Sequence, residues 1–183
     1  MGLRALRGRA LLHAFVVVGG MVLSTSRFAH AAATQGDLMV AARALGFIQN
    51  PPRGEVAVGI IYVAENTASV AEAKNIARMM GDGLRAGLLT LKPILVQLDD
   101  VAAADVGLFF LTEDIGEAAM RVGAAARAKR IPCVTVDLAQ VRSGACVMGV
   151  RSQPKVEILV NRASAADTGV SFAVVFRMMI TEF

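Results

Sequence analysis

The sequence predicts an α/β domain in which parallel β-α-β units build a mixed sheet that ends in an antiparallel C-terminal hairpin, with helices on both faces. Three observations predict it. The segment EVAVGIIYV, residues 55–63, is apolar on both strand faces, as in a central parallel strand covered by helices. Strand-like runs then alternate with stretches of helical periodicity up to residue 130, and each passage between strands is long enough for a right-handed crossover. From Ile131 to Asn161 the pattern changes to three strand signals with little helix-forming material between them. These are IPCVTVD (131–137), ACVMGV (145–150) and KVEILVN (155–161), the last two joined at Arg151, Ser152, Gln153 and Pro154.

The first 31 residues stand apart from the domain. Arg4, Arg7 and Arg9 precede an uncharged apolar run from Leu11 to Leu23, and a polar stretch ends at Ala29-His30-Ala31. A basic region, a short apolar region and an A-x-A site in that order form a secretory signal peptide. The run is short for a bilayer span and is followed directly by Ser24, Thr25 and Ser26, so stable membrane insertion after cleavage is not expected. Cleavage after Ala31 leaves residues 32–183 as a single exported domain, with no linker, repeat or low-complexity tract to divide it.

Removing the signal segment changes what the composition allows. The formal charge of +4 comes from nineteen basic and fifteen acidic residues, and four of the basic ones (Arg4, Arg7, Arg9, Arg27) lie in residues 1–31. The exported part is neutral, which gives no warrant for nucleic-acid binding. Both histidines, His13 and His30, are also in the removed part. That disfavours a Ser-His-Asp, Cys-His or histidine-zinc centre, so a non-enzymatic protein is expected, with no catalytic, cofactor-binding or metal-ligating residue assigned.

Taken in order, residues 35–48 place Leu38, Ala41, Ala42, Leu45 and Ile48 near one helical face, and Asn50-Pro51-Pro52 stops that helix. A second helix is expected from Ser69 to Arg85, with Ser69 and Glu72 at capping-box spacing and Val70, Ala73, Ala77, Met80 and Leu84 as its apolar stripe. Gly81, Gly83 and Gly87 weaken its end. One strand is expected within 88–98 and another over 105–111 (DVGLFFL). Thr112 is placed to cap the following helix, with Glu113 and Asp114 in its first turn and Lys129 and Arg130 at its end. In KVEILVN, Val156, Ile158 and Val160 oppose Glu157 and Leu159, as near a sheet edge. A final helix over about 169–181 is apolar enough to be buried mostly in the domain or partly in a partner.

Few residues suggest chemistry. Cys133 and Cys146 are the only cysteines. They form one disulfide if their strands are neighbours, or stay two buried thiols if they face apart. The loop Glu65-Asn66-Thr67, with Thr112 and Glu113, lies at strand carboxyl ends, where α/β sheets take ligands, but it lacks glycine-rich phosphate-binding patterns. The acidic residues from Asp99 to Glu117 read as solvated loop and helix-start charges. The methionine pairs Met79-Met80 and Met178-Met179 read as core packing, with a partner groove or dimer surface as the other reading.

The order of segments resembles the YfiR-like family of exported proteins. Carrying the resemblance are ALGFIQNPPRG followed by EVAVGIIYV, the FFL strand, and the tail from Cys133 to Val170. Phe47, Asn50 and Pro51 match an early Phe-x-x-Trp-Pro-like junction, with asparagine in the tryptophan's place. Gly144, Val160, Asn161, Ala163, Ala165, Ala166 and Gly169 match the glycine turn, strand end and alanine-rich segment near the C-terminus. The resemblance implies a periplasmic, often dimeric α/β protein. It would restrain an inner-membrane diguanylate cyclase in cyclic-di-GMP signalling by binding that enzyme's periplasmic sensor part. Phe172, Phe176 and Met179 are the residues expected to form such a partner surface. The other reading is an exported small-molecule-binding domain using Glu65, Asn66, Thr67, Thr112 and Glu113.

Overall fold

Residues 32–183 are described by the computed structural model, and the signal segment expected over 1–31 lies outside them. Helix α1 (Gln35–Leu45) starts where it does because Thr34 and Asp37 cap each other. The Thr34 side chain accepts from the Asp37 amide, and the Asp37 carboxylate accepts from the Thr34 amide. The chain then turns at Asn50, which holds a left-handed φ of 57° before the two prolines, and runs into β1 (Gly54–Tyr62).

Helix α2 (Thr67–Met80) is capped by Asn66, whose side chain accepts from the Ala68 and Ser69 amides. Ser69 therefore lies inside the helix and not at its cap. The helix ends at Met80 because Gly81 takes a φ of 55°, and the stretch expected as helix tail and single strand folds as a hairpin, β2 (Leu84–Ala86) and β3 (Leu89–Gln97). Its turn uses Gly87 at a φ of 61°, a conformation open to glycine at little cost. Leu84, expected on the helix stripe, is a buried strand residue.

The remaining strands are β4 (Leu108–Leu111), β5 (Cys133–Thr135), β6 (Met148–Arg151), β7 (Glu157–Val160) and β8 (Thr181–Glu182). Between them lie α3 (Ala119–Lys129), α4 (Leu138–Arg142), α5 (Arg162–Thr168) and α6 (Val174–Arg177). The eight strands of the described residues join one sheet in the order β2-β3-β1-β4-β5-β6-β7-β8. The run β3-β1-β4-β5-β6 is parallel, β2/β3 and β6/β7 are antiparallel, and β8 pairs parallel to β7. This is the mixed sheet that the sequence predicts.

Apolar cores lie on both faces. On one, α1 and α2 bring Leu38, Leu45 and Ile76 onto Val58, Ile60, Leu108, Phe110 and Met148. On the other, α3 and α4 bring Val122 and Val141 onto Ile61, Phe109 and Leu111. The four residues of β4 therefore divide between the two cores, which is why LFFL is apolar throughout. Each such side chain contributes on the order of 1.5–3 kcal/mol.

Two expectations are corrected. The crossing 138–144 contains α4, because Asp137 caps it by accepting from the Ala139 amide. The final helix over 169–181 does not form as one piece. Its backbone groups pair elsewhere: Phe172 bridges Ile48, the Ala173 amide donates to the Phe47 carbonyl at 2.8 Å, and Thr181 pairs with Leu159. Only the four-residue α6 remains helical.

Candidate functional site

The sheet order puts a switch point between β1 and β4, since α2 and α3 leave those strands toward opposite faces. The ligand loop expected from the sequence lies there, and its polar groups are spent on one another. Val63 N–H donates to Ser69 Oγ at 3.1 Å, and Thr112 Oγ1 donates to the Ile61 carbonyl at 3.1 Å. The Thr112 hydroxyl has one proton, so the 2.8 Å contact between the two hydroxyls must have Ser69 as its donor. Thr112 is fully buried and does not cap the next segment, whose first turn is the 3-10 helix Glu113–Ala118.

The same loops are stitched further out. Asn66 Nδ2 donates to the Asp114 carbonyl at 2.8 Å while Asn66 Oδ1 is occupied by the α2 cap. Gln140, on α4, donates to the carbonyls of Thr112 and Glu113, and its own carbonyl accepts from Thr135 Oγ1 at 2.8 Å. Glu72 Oε2 accepts from the Glu113 amide at 2.8 Å. Burial pushes the Glu72 carboxyl up, the Glu113 and Ala33 amides pull it back, and the Glu113 and Asp114 carboxylates push it higher, leaving it at about 7. Of the five expected ligand-loop residues, Asn66, Thr112 and Glu113 thus close the crevice, while Glu65 and Thr67 lie on the surface.

The opposite end of the sheet is open. A groove of about 410 Å³ lies at the amino ends of β1 and β3, between the end of α1 and the β2/β3 turn. Its apolar surface comes from Phe47, Pro51, Pro52 and Leu88, and Arg43 and Arg53 flank it. Leu88 is 74% exposed. Among the described residues neither arginine forms an ion pair. Sequence reasoning passed over this site because Asn50-Pro51-Pro52 reads as a helix stop. The signal available was Phe47 and two prolines between two arginines in an exposed connection.

The expected partner surface is divided by the fold. Phe172 and Phe176 are buried, at 4% and 3% exposure, because they stack inward on the α1 end: Phe176 lies 4.7 Å from Phe47 and 5.4 Å from Phe172, centroid to centroid. Met179 is exposed, as are Val174, Val175 and Met178. Met178 and Met179, read from the sequence as core, are on the surface, whereas Met80 is buried. Cys133 and Cys146 form a disulfide with Cα atoms 4.7 Å apart, at the start of β5 and just before β6.

Among the described residues no helix is long and apolar enough to cross a membrane, and no group of three histidine, cysteine or carboxylate side chains is placed to hold a metal. No family model matches the chain, and no curated protein matches it. Solved structures do. A conserved domain protein from Vibrio cholerae O1 biovar El Tor is similar with a TM-score of 0.54 and 10% identity, over 79% of this chain and 58% of that one. An ABC domain in complex with L-Trp from Streptococcus pneumonia is similar with a TM-score of 0.55 and 11% identity, over 81% of this chain and 60% of that one. This chain therefore spans about three-fifths of each, and what it shares with them is an α/β fold.

Proposed function

We propose that the chain is an exported, non-enzymatic α/β domain that binds a small molecule, and that the molecule sits in the groove between Phe47 and Leu88. The observation that carries this reading is the groove itself: an apolar concavity of about 410 Å³ flanked by two guanidinium groups that have no ion partner among the described residues. That size falls within the range of small-ligand pockets, and the planar guanidinium fork suits a carboxylate. The switch-point crevice is the less favoured place, since its donors and acceptors are already paired. The similar domain described in complex with L-Trp supports a ligand with an apolar body and a charged group.

Calorimetric titration with L-Trp and a panel of aromatic and aliphatic carboxylates tests it. A ligand that binds should lose about tenfold or more in affinity when Arg43→Gln and Arg53→Gln are combined. Affinity untouched by those changes but abolished by Asn66→Ala and Thr112→Val would return the site to the switch point.

A second reading is supported by the exposed set Val174, Val175, Met178 and Met179. In it the chain is a dimeric periplasmic regulatory protein of YfiR-like kind that occupies the sensor part of an inner-membrane diguanylate cyclase. Met178→Glu with Met179→Glu should then abolish retention of the chain on the purified sensor part while leaving its melting temperature unchanged. Unaltered retention would remove this surface from consideration.

A further inference from the structure

We propose that occupancy of the Phe47 groove and docking of the C-terminal segment, residues 171–183, are thermodynamically linked. The inference rests on the groove being the ligand site. Phe47 lines the groove and also stacks on Phe176, with the two ring planes within 8° of each other. Its backbone is engaged as well: the Ala173 amide donates to the Phe47 carbonyl at 2.8 Å, and the Gln49 amide donates to the Ser171 carbonyl at 2.7 Å. Ile48, between them, bridges Phe172. Three consecutive residues of the α1–β1 connection therefore hold the C-terminal segment, and the first of them is a wall of the groove.

Undocking of that segment removes the stack and the backbone contacts that fix Phe47. A molecule seated against Phe47 then binds the docked form more tightly than the undocked form, and by linkage it must favour docking by the same factor. Phe176 and Phe172 lie on the inner side of this segment, while Val174, Val175, Met178 and Met179 face outward from the same few residues. Occupancy of the groove consequently fixes how this apolar set is presented. The two functional readings above become one device, in which a small molecule at the amino end of the sheet governs a surface at its β8 edge.

Amide exchange of residues 171–183, read by mass spectrometry, tests the link in three arms. Phe47→Leu keeps an apolar wall but removes the ring stack, and it should speed exchange over 171–179 about three- to tenfold, the contribution of an aromatic pair, with α2 and β1 unchanged. Leu88→Cys carrying an anilinonaphthalene maleimide places an apolar reporter at the groove, and the native cysteines, being joined and buried, leave position 88 as the labelled site. A blue-shifted label should slow exchange over 171–179. L-Trp at about a hundred times its dissociation constant should slow it up to about a hundredfold. Unchanged exchange in Phe47→Leu, or a blue-shifted label with no slowing, overturns the link while leaving the ligand site standing. A label that stays in solvent, together with absence of L-Trp binding, overturns the groove reading and the link with it.

Discussion

Glu72 and Glu113 meet end to side: the Glu113 amide lies 2.8 Å from Glu72 Oε2, while Glu72 Oε1 is buried with no hydrogen-bond partner among the described residues. Burial, opposed by that amide and reinforced by the nearby carboxylates, raises the Glu72 carboxyl from 4.5 to about 7. A folded pKa above the unfolded one means that the folded chain holds the extra proton between pH 4.5 and 7, so stability falls as pH rises through that window. Glu72→Gln keeps an oxygen for the Glu113 amide and removes the titration. It should raise the melting temperature at pH 8 and flatten the slope between pH 4.5 and 7. An unchanged slope in thermal scans across that range would place the titrating group elsewhere.

The relay from Val63 N–H through Ser69 and Thr112 to the Ile61 carbonyl ties β1, α2 and β4 together. Both hydroxyls are fully buried, so removing either leaves a polar group that water cannot reach. Ser69→Ala and Thr112→Val should each destabilise by roughly 1–3 kcal/mol in urea unfolding. Because they break the same chain, the double variant should cost less than the two single costs added together. Full additivity would mean that the hydroxyls act separately.

Much of this fold is legible in the sequence, and the legible part is the part set by periodicity. EVAVGIIYV and LFFL are apolar on both faces because both faces are buried, and in KVEILVN Val160 and Leu159 go to opposite cores as their alternation predicts. What periodicity could not supply is the destination of a side chain's polar atoms. Thr112 and Ser69 look like helix caps, since Ser and Thr favour that position, yet their partners are 43 residues apart in sequence. The tail over 169–181 has helical composition, but Phe176 finds Phe47 and Phe172 bridges Ile48, contacts across more than 120 residues that no local pattern carries. The groove was illegible for a related reason: Arg43, Phe47, Arg53 and Leu88 come together only when the β2/β3 hairpin replaces the expected helix tail.

The disulfide joins cysteines 13 positions apart and closes a loop that holds β5 and α4 and ends just before β6. In the chain-entropy view, closing a loop of this length stabilises by about 3 kcal/mol. Cys133→Ala with Cys146→Ala should lower stability by roughly that amount in guanidinium unfolding, and adding reductant to the native chain should approach the same curve. A loss well under 1 kcal/mol would mean that the apolar packing of β5 and β6 already holds the loop.

Gly123 shows what that loop is pressed against. A Cβ at this position on α3 would stand 2.5 Å from the Ala145 carbonyl oxygen and 3.0 Å from its Cα, so the helix meets the residue before Cys146 backbone to backbone. Neither atom belongs to a flexible side chain that could move aside. Gly123→Ala should therefore destabilise by about 1–3 kcal/mol, although alanine is the better helix former. The size of the loss should depend on the disulfide, because the bridge is what prevents Ala145 from backing away. Combined with Cys133→Ala and Cys146→Ala, the Gly123→Ala cost should shrink, and the cycle of unfolding free energies should show the coupling directly. Equal cost with and without the bridge would show that the sheet, and not the disulfide, fixes the 145 backbone.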